Sequence, residues 1–355
     1  MLMILTTFCS LAIALLILRF GKRVPRTISS RRDAKAKQSS HVGEPLRIGG
    51  LAAIAGLAAG VAVFDLSGPR TFAPLWLFSA LPVLVAGLAE DLGRGVSPRG
   101  RYIAAIISAL AAMMLLGAWV PRGDFPGLDW AMSAPLVAMA MTVVFSSVFC
   151  HAVNLIDGMN GLASTIIAAS AVGLSTIAAL ASEPDIVTAA LLLAAASVGF
   201  FLVNWPVARA FLGDAGAYGM GHLLVWLMIL LSWRSTEVAV PALLLVLFWP
   251  IADVIHTVLR RAAARVSVLH PDRMHLHQLI RRVLDIGWFG YRGRRRSNPL
   301  TTLLMVPFIL PPIAAGVLLW NRPVMAWIVL GVFLGLFAAA HPLVARLAKK
   351  RRRQM

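Results

Sequence analysis

The chain carries only 15 aspartates and glutamates in 355 residues, and four groups of them stand where apolar sequence gives way to polar. Glu90 and Asp91 are adjacent in GLAEDLGRGVSPRGR. Asn154 and Asp157 stand three apart in HAVNLIDGMNGLA, a spacing that puts amide and carboxylate on one face if the segment is helical. Asp214 follows Gly213 in NWPVARAFLGDAGAYG, and Asp253 lies inside the apolar run FWPIADVIHTV. A fifth stretch, HPDRMHLHQLIRR, crowds His270, Arg273, His275 and His277 into the most polar part of the chain.

Carboxylates gathered on one surface repel one another unless a cation joins them. A few oxygen ligands, with substrate phosphates completing the shell, describe Mg²⁺ or Mn²⁺. With arginine and histidine alongside, such a centre has the equipment of phosphoryl transfer, in which positioning and charge neutralisation supply most of the catalysis. Each group also has a plainer account. An acidic pair at a helix end can be a solvated cap, and NLIDGMNG can be a turn. Asp253, too deep in apolar sequence to stay unpaired, calls for a cation, a metal or an arginine, and Arg260 or Arg261 would serve as an ion-pair partner. His275 and His277 are two apart, so they point to opposite sides of a strand or splay on a helix and make a poor zinc pair. Hydrogen-bonding a diphosphate or protonating a leaving group suits them better.

The elements that must position these residues are membrane helices. A composition 59% hydrophobic and 14% charged, with mean hydropathy +0.81, is that of a polytopic membrane protein. Eleven apolar stretches are long enough to cross ~30 Å of hydrocarbon: near 2–20, 47–64, 71–88, 102–120, 132–152, 161–182, 186–204, 215–233, 238–258, 300–320 and 323–345. The first follows no basic segment and leads to no small-residue cleavage site, which predicts a membrane helix rather than a removed signal. With the N-terminus outside, 29 of the 33 lysines and arginines fall on the cytoplasmic side, and only Arg70, Arg122, Arg234 and Arg322 stay opposite.

The expectation is therefore an all-α polytopic membrane protein of about eleven transmembrane helices, N-terminus periplasmic and C-terminus cytoplasmic. Residues 1–355 form one transmembrane domain, with a basic loop over 19–47, a nucleotide-sugar-binding loop over 259–299 and a basic tail over 346–355 on the cytoplasmic face. All four acidic groups fall on that same face. The formal charge of +18 suits anionic lipid headgroups and phosphate-bearing substrates. Aromatics are not interleaved with the charges, so nucleic acid is not an expected partner. Cys9 and Cys150 lie inside apolar runs and suggest neither a bridge nor a metal site.

At its polar motifs the chain resembles the polyprenyl-phosphate N-acetylhexosamine-1-phosphate transferases and, more distantly, phospho-MurNAc-pentapeptide transferase. HVGEPLRIGG, EDL, NLIDGMNGLA, FLGDAG and PDRMHLH occur in the family's order across most of the chain. The resemblance implies transfer of a sugar-1-phosphate from a UDP-activated N-acetylated sugar to undecaprenyl phosphate, with release of UMP. It also implies Mg²⁺ or Mn²⁺ as cofactor, an active site on the cytoplasmic face of a bacterial inner membrane, and a homodimer. Carried over by position, it makes Asp214 the principal metal ligand with Asp157 beside it, and sets Asn154 around the metal and the donor diphosphate. It makes Asp91, with Glu90 next to it, the group that activates the lipid phosphate. Arg273, His275 and His277 then belong to the loop that grips the phosphates, and Asp253 to the same substrate site. Gly49 and Gly50 match an early glycine pair expected to pack backbone closely.

Three positions depart from the family pattern: Glu90 stands for an aspartate, Asn160 for the second aspartate of DGxDGL, and Gln278 for a further histidine. Two alternatives stay open beside this reading. One is the peptidoglycan precursor transferase itself. The other is a transporter for a cation or an anionic solute, although transporters place their binding groups near the bilayer midplane rather than at one face.

Overall fold

Apolar runs of this length satisfy their own backbone polar groups only as helices, and the chain folds accordingly. The computed structural model describes residues 1–20, 46–66, 71–266, 272, 274–289 and 294–352. The helices are α1 (Leu2–Phe20), α2 (Gly50–Leu66), α3 (Ala73–Ser79), α4 (Leu81–Asp91), α5 (Pro98–Leu116), α6 (Pro126–Met132), α7 (Pro135–Ile156) and α8 (Leu162–Leu180). They continue with α9 (Pro184–Asn204), α10 (Gly213–Arg234), α11 (Val240–Val246), α12 (Phe248–Ala263), α13 (Leu276–Leu284), α14 (Arg294–Leu318) and α15 (Pro323–Arg352). Proline opens several of them at a position where its missing N–H costs no hydrogen bond, as at Pro98, Pro126, Pro135 and Pro184.

Eight helices are long and apolar enough to cross a membrane, and two bent pairs raise the figure to ten. Each of the eleven apolar stretches is helical, but α2, at 17 residues, is shorter than the rest, and two stretches are broken. The break between α3 and α4 bends the path by 42° and that between α11 and α12 by 89°. Both have the same cause. A proline ring clashes with the carbonyl four residues earlier, so Pro82 ends α3 near Phe78 and Pro250 ends α11 at Val246. The stretch 238–258, expected as one straight span, is thus two helices nearly at right angles.

Helix α10 is the hub, buried along its whole apolar length, with α2, α4, α5, α7, α8 and α9 packed around it. Its first turns are rich in small residues, so neighbouring backbones approach without side chains between them. A Cβ on Gly50 would lie 2.3 Å from the Cα of Gly216, and one on Gly87 2.5 Å from the nitrogen of Ala215. The early glycine pair does pack backbone closely, as expected. At the other side of the molecule α11 packs against α14 and α15, and α13 lies across the same two helices.

Candidate active site

The start of α10 brings the first three acidic motifs together. Gly213 takes a left-handed conformation, φ +67°, and a Cβ there would meet the Arg47 carbonyl oxygen at 1.9 Å and a carboxylate oxygen of Asp91 at 2.6 Å, so only glycine fits. The amides of a helix's first turn lack partners within the helix, and here a carboxylate from the end of α4 and one from the turn after α7 accept them. Asp91 takes the amides of Asp214 and Ala215, one on each oxygen, both at 2.9 Å, and Asp157 takes that of Gly213 at 3.2 Å. Asp91 is therefore a cap after all, though a buried one (5% exposed) and on a helix other than its own.

Asp214, 6% exposed, accepts the Asn154 side-chain amide on Oδ1 at 3.1 Å and pairs through Oδ2 with the guanidinium of Arg101. Asn154 and Asp157 reach this point because α7 ends at Ile156, which leaves Asp157 in the turn that follows. Burial pushes the Asp157 carboxyl well above the usual carboxylate range, with the Gly213 amide pulling the other way. Glu90 does not share its neighbour's contacts, and its Oε2 is buried without a hydrogen-bond partner.

Arg101 is the residue that sequence reasoning missed. It lies in the first turn of α5, whose start is fixed by the Ser97 hydroxyl accepting the Gly100 amide and by Pro98. That Ser-Pro start was the available signal, because it sets which arginine of SPRGR points along the helix toward α10. Next to it the His151 ring packs between Tyr102 and Tyr218, at centroid distances of 5.3 and 4.8 Å.

The remaining acidic motif forms a second group. Asp253 Oδ2 lies 2.6 Å from His275 Nδ1, both side chains almost fully buried. The partner is a histidine rather than an arginine. Seven residues of helix carry Arg260 ~10 Å along the axis from Asp253, where it pairs with Asp272, and Arg261 comes within 3.9 Å of the same carboxylate. Burial disfavours the charged His275 ring, but the Asp253 carboxylate outweighs it and holds His275 above its ordinary 6.5. His277, fully buried, is pulled down to about 4 by burial, and neither of its ring nitrogens has a partner. The two rings stack, 5.6 Å apart and 12° from parallel. They neither alternate nor splay, because His275 is an extended residue just before α13 and His277 already belongs to its first turn. Arg273 and His270 lie outside the described residues.

One of the departures from the family pattern has a local explanation. The Asn160 side-chain amide donates to the Pro206 carbonyl at 2.7 Å, which a carboxylate could not do, and its backbone nitrogen donates to Asn298 at 2.7 Å. The residue ties the turn that carries Asp157 to the start of α14. Gln278 has its Oε1 buried without a partner.

Among the described residues no three Asp, Glu, His or Cys side chains converge as a complete metal cage. Mg²⁺ does not need one, since it binds through one or two carboxylates with waters and substrate phosphates. Asp214 and Asp157, oxygen donors around one helix start, fit that requirement. Asp157 carries a donor on Oδ2 only, whereas Asp214 and Asp91 each carry a donor on both oxygens and would offer a metal their remaining lone pairs.

Fold and site together define a multi-pass helical membrane protein with a carboxylate and arginine centre at one end of its buried helix. The glycosyl transferase family 4 model matches residues 73–232, which hold Asp91, Asn154, Asp157 and Asp214, so over this stretch the chain is similar to that family. It is 28% identical to a probable undecaprenyl-phosphate N-acetylglucosaminyl 1-phosphate transferase of Bacillus subtilis, over 76% of this chain and 74% of that protein. It is 29% identical to the decaprenyl-phosphate N-acetylglucosaminephosphotransferase of Mycobacterium tuberculosis, over 77% and 74% respectively. To a phospho-N-acetylmuramoyl-pentapeptide-transferase of Moorella thermoacetica it is 28% identical, over 64% and 73%.

Proposed function

We propose that the chain transfers a sugar-1-phosphate from a UDP-N-acetylhexosamine, UDP-GlcNAc or a relative, to undecaprenyl phosphate and releases UMP, as the initiating step of lipid-linked cell-surface polysaccharide synthesis. The observation that carries this reading is the convergence of Asp91, Asn154, Asp157, Asp214 and Arg101 at the start of α10. Relatives named for this reaction and the charge bias of the loops support it, with the centre on the cytoplasmic face of a bacterial inner membrane and the N-terminus periplasmic. Helix α2 and the two bent pairs, added to the eight long helices, would make the expected eleven passes.

In this reading an oxygen of the lipid phosphate attacks the sugar-proximal phosphorus of the donor, the bond from that phosphorus to the bridging oxygen breaks, and UMP leaves with the bridging oxygen. The acceptor needs little activation, because a phosphomonoester has its second pKa near ~6. Mg²⁺ or Mn²⁺, held by Asp214 with Asp157, would neutralise charge on the donor diphosphate. Arg101 offers a guanidinium to the same phosphates. Asn154 orients Asp214, and Asp91 stands where the acceptor would be activated, beside Glu90. His275, whose protonated form Asp253 favours, and His277, whose ring nitrogens have no protein partner, belong with Arg273 to the donor-phosphate loop.

The sugar is tested by incubating the purified chain with undecaprenyl phosphate and, separately, UDP-GlcNAc, its 4-epimer and UDP-MurNAc-pentapeptide while following UMP. Release with one of the first two is expected. Release with the pentapeptide donor alone would move the chain to peptidoglycan synthesis, and accumulation of solute in vesicles without UMP would make it a transporter.

A further inference from the structure

The last helix reaches into the donor loop. His341 of α15 is 4% exposed, and its Nε2 lies 2.6 Å from the backbone carbonyl of Met274, the residue just before His275. A carbonyl can only accept, so Nε2 must carry the proton. The loop is otherwise held from α12, by Asp253 on His275 and by Arg260 on Asp272, while Asp272 in turn accepts the Met274 amide at 3.1 Å. The bond from His341 is thus a hold on this loop from a helix other than α12. The His341 ring is itself fixed, lying 4.1 Å from His256, with Phe337 against His256 one helical turn earlier in α15.

We infer that His341 is a positioning residue of the donor site: by fixing the Met274 carbonyl it sets where His275 and His277 stand relative to the substrate phosphates. The inference rests on the donor-loop reading given above. It assigns a job in substrate recognition to a helix that sequence reasoning treated only as a membrane span with a basic tail. The hydrogen bond and the ring packing are separable. His341→Phe keeps an aromatic ring and loses the donor, whereas His341→Gln places an amide N–H near the position of Nε2.

The test measures steady-state kinetics with UDP-GlcNAc and undecaprenyl phosphate, and hydrogen exchange of the amides from 274 to 284 in the substrate-free protein. His341→Phe is expected to raise KM for UDP-GlcNAc by about tenfold, the order expected when one buried carbonyl loses its donor, with KM for undecaprenyl phosphate unchanged. The same variant should exchange faster across 274–284, and His341→Gln should restore both readouts. A wild-type donor KM and wild-type exchange in His341→Phe would overturn the inference, as would a Gln variant impaired as much as the Phe variant. Exchange is read without turnover. A wild-type protein that releases no UMP would therefore defeat the proposed reaction, while the exchange comparison would still decide whether His341 holds the loop.

Discussion

The two ends of α10 are both met by opposite charge, as a helix dipole favours, yet they are finished differently. At the C-terminal end Arg122 donates to Asp124 at 2.8 Å and to the carbonyls of Ser232, Ser235, Thr236 and Val238, while Asp124 also accepts the Val240 amide. The charges there are consumed within the protein. At the N-terminal end three aspartates face Arg101, with Arg47 near enough to act on Asp91 and Asp157, and polar capacity is left over: Glu90 Oε2 and Arg101 Nε are buried without partners. Native proteins rarely leave such groups unsatisfied unless a ligand, ion or water completes them. One end is closed architecture, and the other is built to receive something charged.

That contrast can be broken in order of expected effect. Asp214→Asn should lower UMP release by about 1,000-fold, the scale of losing one well-placed electrostatic group in a catalytic centre, while the protein still elutes as a folded species on gel filtration. Arg101→Gln should cost about 100-fold, with the loss shared between donor KM and turnover. Arg122→Gln should do the reverse of both. It leaves several carbonyls short of a donor, so thermal unfolding should show a loss of about 1–3 kcal/mol, with donor KM unchanged. A kinetic defect in Arg122→Gln matching that of Arg101→Gln would erase the distinction between the two ends.

A smaller effect concerns pH. Because Asp253 holds His275 above its ordinary 6.5, the protonated ring is fully present below that value and is lost as pH rises through the raised one. KM for the donor should therefore climb by a few-fold as pH rises through that raised value. Asp253→Asn should move that rise to lower pH, and an unmoved profile would remove His275 from donor binding.

How much of this was legible in the sequence follows from physical scale. Asp91, Asp157 and Asp214 stood out because carboxylates are rare in apolar sequence, and rarity made their convergence readable. Arg101 did not stand out, since three arginines share the stretch from 94 to 101 and only the Ser97–Pro98 helix start selects the one that faces α10. The pairing of Asp253 with His275 spans 22 residues and depends on the right-angle break that Pro250 imposes, which hydropathy averages away. His341 was hidden for a like reason: a polar residue inside an apolar helix shows its use only once the loop it holds is in place.

The most direct measurement follows the phosphorus. UDP-GlcNAc labelled at the phosphorus nearer the sugar, incubated with undecaprenyl phosphate and the purified chain, should yield label in the lipid extract and unlabelled UMP in equal amount, and Asp214→Asn should yield neither. Label retained in water as UDP, with sugar alone reaching the lipid, would contradict the account, because the bond broken would then be the glycosidic one and not the phosphoanhydride.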